Sequence, residues 1–224
     1  MRRVAAVFGS YVGVLVFAGL VFLGAGRLDL PTGWLYVALA LVGTTLSHLL
    51  MPRGSDLTVD RMTRAGEGLP WDKRLVGLSF ACSFVMFVLA GLDVGRFGWT
   101  GPLPLLVPAV GAALMFAGQL AFALAKRENR WFTSTVRLQP ERGHAVCDTG
   151  PYRRVRHPGY LGLLVSQFAF PLVLGSGIAM PLAFLLCGAT FFRAEWEDEF
   201  LRKNLPGYAN YAARTPWLLF PGLR

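Results

Sequence analysis

The sequence has very few charged side chains for its length. Its 224 residues include 22 Lys and Arg and 13 Asp and Glu, whereas hydrophobic residues make up 54%. The run Pro158–Phe192 contains no Asp, Glu, Lys, Arg or His at all. This scarcity of charge excludes an ordinary soluble domain and predicts an integral membrane protein.

Cysteine is scarce as well, since Cys82, Cys147 and Cys187 are the only three and they are widely spaced. This spacing predicts neither a disulfide framework nor a metal site. The net charge of +9 lacks the interleaved basic and aromatic residues of a nucleic-acid surface, and the charges fall in blocks between apolar runs. We therefore expect no nucleic-acid partner and interpret the basicity as a sign of membrane topology.

The apolar runs predict an all-α fold with about five to six transmembrane helices. At about 1.5 Å per residue, four runs are long enough to cross about 30 Å of hydrocarbon: Val4–Gly26, Leu30–Pro52, Leu75–Leu92 and a stretch within Phe97–Ala125. The run Pro158–Phe192 is too long for one helix, and Gly175–Gly177 at its middle is a turn signal. We predict that this run folds into a tight helical hairpin.

The basic residues predict which ends of these helices face the cytoplasm. If the N terminus is inside and the chain crosses six times, only Arg27 and Arg96 of the 22 basic side chains face outward, which satisfies the positive-inside rule. Both termini and the active site are then cytoplasmic, at the inner membrane if the source is bacterial. We expect a single domain, with a four-helix part at 1–125 and a cofactor-binding part at 126–224.

Two stretches on this side, Met51–Arg74 and Lys126–His157, are long enough to build a site. We interpret Trp71–Arg74 as an interfacial aromatic followed by a charged helix cap, in preference to a catalytic element. The second stretch is rich in glycine and polar residues, which is typical of a ligand-binding loop.

The segment after the hairpin is predicted to continue as a helix. Arg193 and Glu197 are four residues apart and share one face, while Glu199 pairs toward Lys203 on another. A surface ion pair between Arg193 and Glu197 is the simplest interpretation, but the stabilising order places the acid first, and here it is reversed. A second short helix is expected around Tyr208–Tyr211.

Together these motifs resemble a known family. Gly150-Pro151-Tyr152, then Arg156–Gly162, then the acidic pair Glu197-Asp198 and Tyr208–Tyr211 are similar to the isoprenylcysteine carboxyl methyltransferases and related membrane phospholipid methyltransferases. The likeness covers roughly residues 129–221. It implies a helical membrane enzyme that binds S-adenosylmethionine on its cytoplasmic side without a Rossmann domain.

The resemblance also implies roles for individual residues. It places cofactor contacts at Gln139, His144, Ala145, Val146, Cys147, Tyr152, His157, Pro158, Gly159, Tyr160 and Glu197. Where family members carry two glutamates this chain has Glu197-Asp198, so Asp198 joins the expected cofactor site. Arg193 matches the position that holds the substrate, and Arg193 and Glu197 are the expected catalytic pair.

The chemistry of the ligand agrees with this set. A site for S-adenosylmethionine needs an acid for the positive charge, a cation or histidine for the carboxylate, and aromatic faces for the sulfonium and adenine. Glu197, Arg156 or His157, and Tyr152 or Tyr160 supply these groups. Methyl transfer is an in-line displacement that requires alignment and desolvation, so we expect no covalent nucleophile. We expect His157 and Glu197 to lie at polar edges, outside a packed core.

The methyl acceptor is open from sequence alone. Arg193 suits a lipophilic carboxylate, such as an isoprenylcysteine-like compound, that reaches the site from the membrane lipids. Phospholipid amines or thiols are alternatives, because relatives with similar motifs methylate them. An NADPH-dependent membrane reductase is the nearest rival enzyme. A transporter is disfavoured, because the central apolar runs carry no Asp, Glu, Lys or Arg.

Overall fold

The computed structural model describes residues 2–52 and 57–222, and within these ranges it is helical without strands. This confirms the predicted all-α fold. Residues 53–56 of the predicted stretch Met51–Arg74 lie outside the described residues. The described residues form eight α-helices: α1 Arg2–Ala25, α2 Pro31–Leu49, α3 Leu57–Thr63, α4 Pro70–Gly91, α5 Leu106–Glu128, α6 Pro158–Leu174, α7 Met180–Asn204 and α8 Tyr208–Arg214.

Four helices are long and apolar enough to cross a membrane by length and composition: α1, α2, α4 together with the π-helical turn Leu92–Phe97, and α5. Helix α6 is apolar but has only 17 residues. The chain is therefore an integral membrane protein. The number of crossings made by α6 and α7, and the side that each terminus faces, stay predictions.

The predicted hairpin is confirmed, because α6 ends at Leu174 and α7 begins at Met180. Gly175 closes α6 with φ +77°, a left-handed conformation that favours glycine. The Ser176 hydroxyl donates to the carboxylate of Asp93 at 2.6 Å, and the same carboxylate accepts hydrogen bonds from the backbone and hydroxyl of Thr100. Buried Asp93 therefore ties the turn to the end of α4, a role that the sequence analysis did not assign.

Helices α5 and α6 cross with their backbones in direct contact. A Cβ atom added at Gly162 would lie 2.5 Å from the carbonyl oxygen of Gly118, and one added at Gly118 would lie 2.7 Å from that of Gly162. Gly111 makes a similar approach to Val173 further along. Small residues allow such a crossing in membrane helices. This crossing fixes the start of α6 against the end of α5, where the site lies.

The segment after the hairpin is helical as predicted, since α7 continues to Asn204 and the short helix α8 follows. Lys203 pairs with Glu199 at 2.5 Å on its exposed side. On the other side, Leu201 and Leu205 of this region pack with α8 and Tyr152 in a small apolar cluster. This cluster anchors the loop before α6 to the end of the chain.

Candidate active site

A cavity lies where the end of α5, the loop 129–157, the start of α6, the second half of α7 and α8 meet. It encloses about 970 Å³ of space outside the protein atoms, including its open mouth. Its wall is formed by aromatic side chains together with a few polar ones, among them Trp131, Phe132, Tyr152, Tyr160, Tyr208, Tyr211, His144, His157, Arg137, Arg156, Arg193 and Glu197.

The structure brings most of the predicted site residues to this one cavity. The predicted residues that line it are His144, Ala145, Val146, Cys147, Tyr152, Arg156, His157, Gly159, Tyr160, Arg193 and Glu197. Gln139, Pro158 and Asp198 lie behind the wall instead. Residues as far apart in the chain as His144 and Glu197 therefore share one chamber, while their contacts with a cofactor stay a prediction.

Arg193 is held by a buried acid from a distant part of the chain. Its Nε and Nη2 donate to the two carboxylate oxygens of Asp72 at 2.6 and 3.1 Å, and Nη2 also donates to the Ser134 carbonyl at 2.7 Å. Asp72 is 0% exposed and also accepts the backbone N–H of Val136 at 2.8 Å. The interpretation of Trp71–Arg74 as an interfacial cap is wrong for Asp72, because α4 begins earlier, at Pro70, and turns this carboxylate inward.

Glu197 has a neutral partner. The Tyr160 hydroxyl donates to its Oε2 at 2.5 Å, and the structure shows no cation bound to Glu197 within the described chain. The guanidinium of Arg193 lies over the Tyr160 ring, 5.3 Å from its centroid. The simple ion pair between Arg193 and Glu197 is therefore not formed, and the interpretation that paired them is wrong. The two side chains instead face the cavity with different partners.

Asp198 is the centre of a buried network. It accepts hydrogen bonds from Arg156 Nε at 2.7 Å, Arg202 Nε at 2.8 Å and the Tyr208 hydroxyl at 2.7 Å. Burial alone would raise the pKa of this carboxyl, but His157, Arg156 and Arg202 outweigh burial and hold the pKa well below its usual range. Asp198 therefore remains charged and positions cavity residues from behind.

His157 and Arg156 belong to the packed interior. His157 is 6% exposed, and its Nε2 lies 3.2 Å from the Tyr208 hydroxyl. The backbone N–H groups of Arg156 and His157 donate to the carbonyls of Trp217 and Leu218. The expectation that His157 lies at a polar edge outside the core is wrong, because the C-terminal segment folds over it. A substitution there would cost stability as well as any ligand contact.

The loop 129–147 is braced by Gln139, which is 0% exposed. Its amide donates to the Trp131 carbonyl at 2.8 Å, and it accepts from Arg142 Nη1 at 2.8 Å. His144 stacks on Trp131 with ring centroids 5.4 Å apart. Burial lowers the pKa of His144 to about 4, with Arg137 adding to the effect, so the ring is neutral near pH 7. Its buried Nδ1 has no partner in the described chain and can accept a hydrogen bond from a ligand.

Sequence reasoning missed the contribution of the stretch 133–137 to the wall, and it missed Asp72. Asp72 pairs across 121 positions with Arg193, and Arg137 pairs with Asp60 at 3.1 Å. The sequence feature that could have pointed to Asp72 is its position, as an acid directly after Pro70-Trp71 at the start of an apolar run. A pairing over that distance cannot be read from local pattern.

Comparison with known proteins shows that this part of the chain is similar to membrane methyltransferases. Residues 107–207, which run from the first turn of α5 to just beyond α7 and contain every predicted site residue, match the family described as phospholipid methyltransferase. A protein from Oryza sativa subsp. indica named probable protein-S-isoprenylcysteine O-methyltransferase is 33% identical over 113 residues. That match covers 49% of this chain and 59% of the rice protein. The matched region is therefore similar to phospholipid methyltransferases and to a protein named as an isoprenylcysteine methyltransferase.

Two further relatives are named for metal resistance. The cobalt-zinc-cadmium resistance protein CzcN of Cupriavidus metallidurans is 32% identical over 148 residues, which are 62% of this chain and 61% of that protein. The nickel-cobalt-cadmium resistance protein NccN of Alcaligenes xylosoxydans xylosoxydans is 28% identical over 148 residues, with 62% of each chain covered. The matches thus span about three fifths of these relatives. Their names concern resistance and carry no reaction over to this chain.

Proposed function

We propose that this protein is an S-adenosylmethionine-dependent methyltransferase that acts on a lipophilic acceptor at the membrane. The observation that carries the proposal is the charge balance of the cavity. Among the described residues, Glu197 is the only acidic side chain on its wall, and it is bonded to a neutral tyrosine hydroxyl. The arginines on the same wall are already paired with carboxylates. The cavity therefore presents a carboxylate to which no cation of the described residues is bonded.

Each arginine on the wall is already bonded to at least one acid. Arg137 pairs with Asp60 at 3.1 Å and with Glu141, Arg156 pairs with Asp198 at 2.7 Å, and Arg193 pairs with Asp72 at 2.6 Å. A site for the 2′-phosphate of NADPH needs a surplus of positive charge, whereas here each wall arginine has a carboxylate partner and Glu197 would repel a phosphate. A site for a sulfonium needs the reverse, an acid and aromatic faces without a competing cation. The charge balance favours the methyl donor over the reductase alternative.

The chain offers groups for each part of the donor. Glu197 faces its positive charge, and Tyr152 and Tyr160 offer aromatic faces. The unpartnered Nδ1 of neutral His144 can accept from an amino group. When bound, S-adenosylmethionine supplies an activated methyl group. The residues around it orient the donor and exclude water, which is what a direct displacement requires.

A covalent enzyme intermediate has no support in the cavity. Cys147 lines the wall, but burial raises the pKa of its thiol, so it remains protonated near neutral pH. This agrees with direct transfer from donor to acceptor. The site is proposed to face the cytoplasm, because that orientation leaves only Arg27 and Arg96 of the basic residues outside.

Arg193 is proposed to bind the acceptor, in a way that differs from the sequence-based argument. The sequence analysis paired Arg193 with an acceptor carboxylate alone, whereas in the structure Asp72 already pairs with it. Three donor positions of the guanidinium are used by Asp72 and Ser134, whereas Nη1 makes no hydrogen bond to the described residues. Asp72 thus fixes the guanidinium while Nη1 remains available to a carboxylate oxygen. A lipophilic carboxylate therefore stays the proposed acceptor, with phospholipid amines and thiols as the alternatives.

Arg193→Lys should separate acceptor use from donor binding. Lysine keeps the charge but loses the planar fork, so it cannot hold Asp72 and an acceptor at once. We expect the KM for the acceptor to rise about tenfold or more, corresponding to about 1.4 kcal/mol, while the Kd for S-adenosylhomocysteine changes less than about twofold. An equal loss of both would make Arg193 a structural residue and remove the case for a carboxylate acceptor.

The reaction itself can be tested with purified protein in lipid vesicles and methyl-tritiated S-adenosylmethionine. An S-farnesylcysteine with a free carboxylate is the test acceptor, and its methyl ester is the matched control that lacks the reacting group. We expect base-labile label in the lipid phase with the first compound and none with the second. Transfer to phosphatidylethanolamine instead would keep the methyltransferase and change its acceptor. If no methyl group moves from the donor to any of the three acceptor classes, carboxylate, amine or thiol, the proposed function is wrong.

A further inference from the structure

We propose that this protein has a second ligand site, a groove at the polar ends of α5 and α6 that binds an anionic phospholipid from the adjacent leaflet. The groove is separate from the active-site cavity and lies on the outer surface of the helix pair. It is lined by Ala121 and Leu124 from α5, Pro158 and Leu161 from α6, and Gly150, Pro151, Arg153, Arg154, Val155 and Pro221 from the segments around them.

The walls of this groove are apolar and its rim is basic. Leu124 is 37% exposed although it faces a groove rather than a flat surface. Arg153 and Arg154 are both exposed, and neither guanidinium group forms an ion pair or a hydrogen bond within the described part of the chain. The arginines of the neighbouring cavity are all paired, so these two differ in being available.

The surrounding charges leave this basic rim uncompensated. The carboxylate of Glu128 lies beside the groove. It packs against Gly150 at one end of the groove and accepts a hydrogen bond from the Thr149 hydroxyl. One acid beside two free guanidinium groups leaves a net positive rim. Arginine binds phosphate oxygens through its planar fork, so a phosphodiester is the complementary ligand.

The position of the groove along the helices favours a lipid over a free anion as the ligand. Helix α5 is a candidate membrane span that ends at Glu128, and Leu124 lies about one turn before that end. A lipid can place its phosphate at the arginines while its acyl chains follow Leu124 and Leu161 toward the hydrocarbon. Basic pockets between membrane helices bind anionic head groups in this way. A soluble anion would leave the apolar walls unused.

The groove and the active-site cavity share one wall, the segment 155–161. Val155, Pro158 and Leu161 line the groove, whereas His157 and Tyr160 from the same segment line the cavity. A lipid in the groove therefore packs against the back of the segment that carries the site. We infer that its binding stabilises this segment, a consequence that does not depend on which reaction the site performs.

Native mass spectrometry of the purified protein tests the site, with phosphatidylglycerol as the probe and phosphatidylcholine of the same chains as the neutral control. Arg153→Gln and Arg154→Gln should each weaken phosphatidylglycerol binding about fivefold, since a basic side chain near an anionic surface contributes about 1 kcal/mol. The matched control is Arg74→Gln, because Arg74 is also exposed at a helix end but lies outside the groove. It should bind phosphatidylglycerol as the unchanged protein does.

The apolar part of the groove is tested by Leu124→Trp, which fills it, against Val110→Trp on the exposed face of α5 outside the groove. We expect only the first to reduce retention of phosphatidylglycerol, with both variants keeping the apparent Tm of the unchanged protein in detergent. Equal binding of both lipids, or full phosphatidylglycerol binding by the Arg153→Gln, Arg154→Gln double variant, would overturn the proposal. Displacement of the lipid by inorganic phosphate would overturn it too, because it would indicate a simple anion site.

Discussion

Replacing Asp72 with alanine should destabilise the protein by about 3–5 kcal/mol and abolish acceptor methylation. The carboxylate is 0% exposed and makes a two-point contact with Arg193, so its removal leaves a guanidinium that is buried without its counter-charge. The variant also frees the backbone N–H of Val136, which lines the cavity. The apparent Tm in detergent and the initial rate with the carboxylate acceptor measure the two effects.

The double variant Asp72→Leu, Arg193→Met separates charge from shape. Removing both charges of a buried pair is often far less costly than removing one, so most of the lost stability should return while methylation does not. The control is Glu199→Ala, since the exposed pair of Glu199 with Lys203 should contribute less than about 1 kcal/mol. If Asp72→Ala were as harmless as Glu199→Ala, the buried pair would not hold the site together.

Replacing Gly162 with valine should prevent the α5–α6 pair from closing. The Cβ atom alone would lie 2.5 Å from the Gly118 carbonyl oxygen and 2.6 Å from the Phe122 nitrogen, both backbone atoms that cannot move aside. We expect a loss at or beyond the upper end of the range of about 1–3 kcal/mol typical of overpacking. Because Phe122 and Gly159 line the cavity from these two helices, ligand binding should fail with it. Monodispersity in detergent and S-adenosylhomocysteine binding are the measurements.

Gly188→Val is the matched control for that substitution. Gly188 also lies inside a helix, α7, but a Cβ atom there would meet nothing within 4 Å. Its valine variant should remain folded and bind ligand normally. Similar damage from both variants would show that helix propensity, not the close crossing, explains the effect at Gly162.

Local features of the fold were predictable because local chemistry determines them. The turn at Gly175–Gly177 interrupts an apolar run that is too long for one crossing, and glycine supplies the left-handed conformation that the end of α6 needs. The continuation of α7 through Glu197 follows from its uninterrupted helical pattern. The α5–α6 crossing was not predicted, because nothing in the sequence says which glycines face each other.

The candidate site was predictable as a set of residues but not as a network. Arg193 and Glu197 lie one helical turn apart and both reach the cavity, yet each has a partner from elsewhere, Asp72 and Tyr160. Asp198 follows Glu197 directly but points behind the wall, because adjacent helical residues lie about 100° apart. These roles depend on pairs between residues that are far apart in the sequence. Such pairs can be identified only once the packing of the helices is known.

Calorimetric titration with S-adenosylhomocysteine tests whether the cavity binds S-adenosylmethionine next to Glu197. We predict one binding site in the purified protein, no binding of NADPH, and at least about tenfold weaker affinity in Glu197→Gln, which keeps the shape of the side chain and removes its charge. The variant should retain its apparent Tm, since Glu197 is bonded to a single tyrosine. Binding of NADPH without S-adenosylhomocysteine, or an unchanged affinity in a folded Glu197→Gln protein, would contradict the claim.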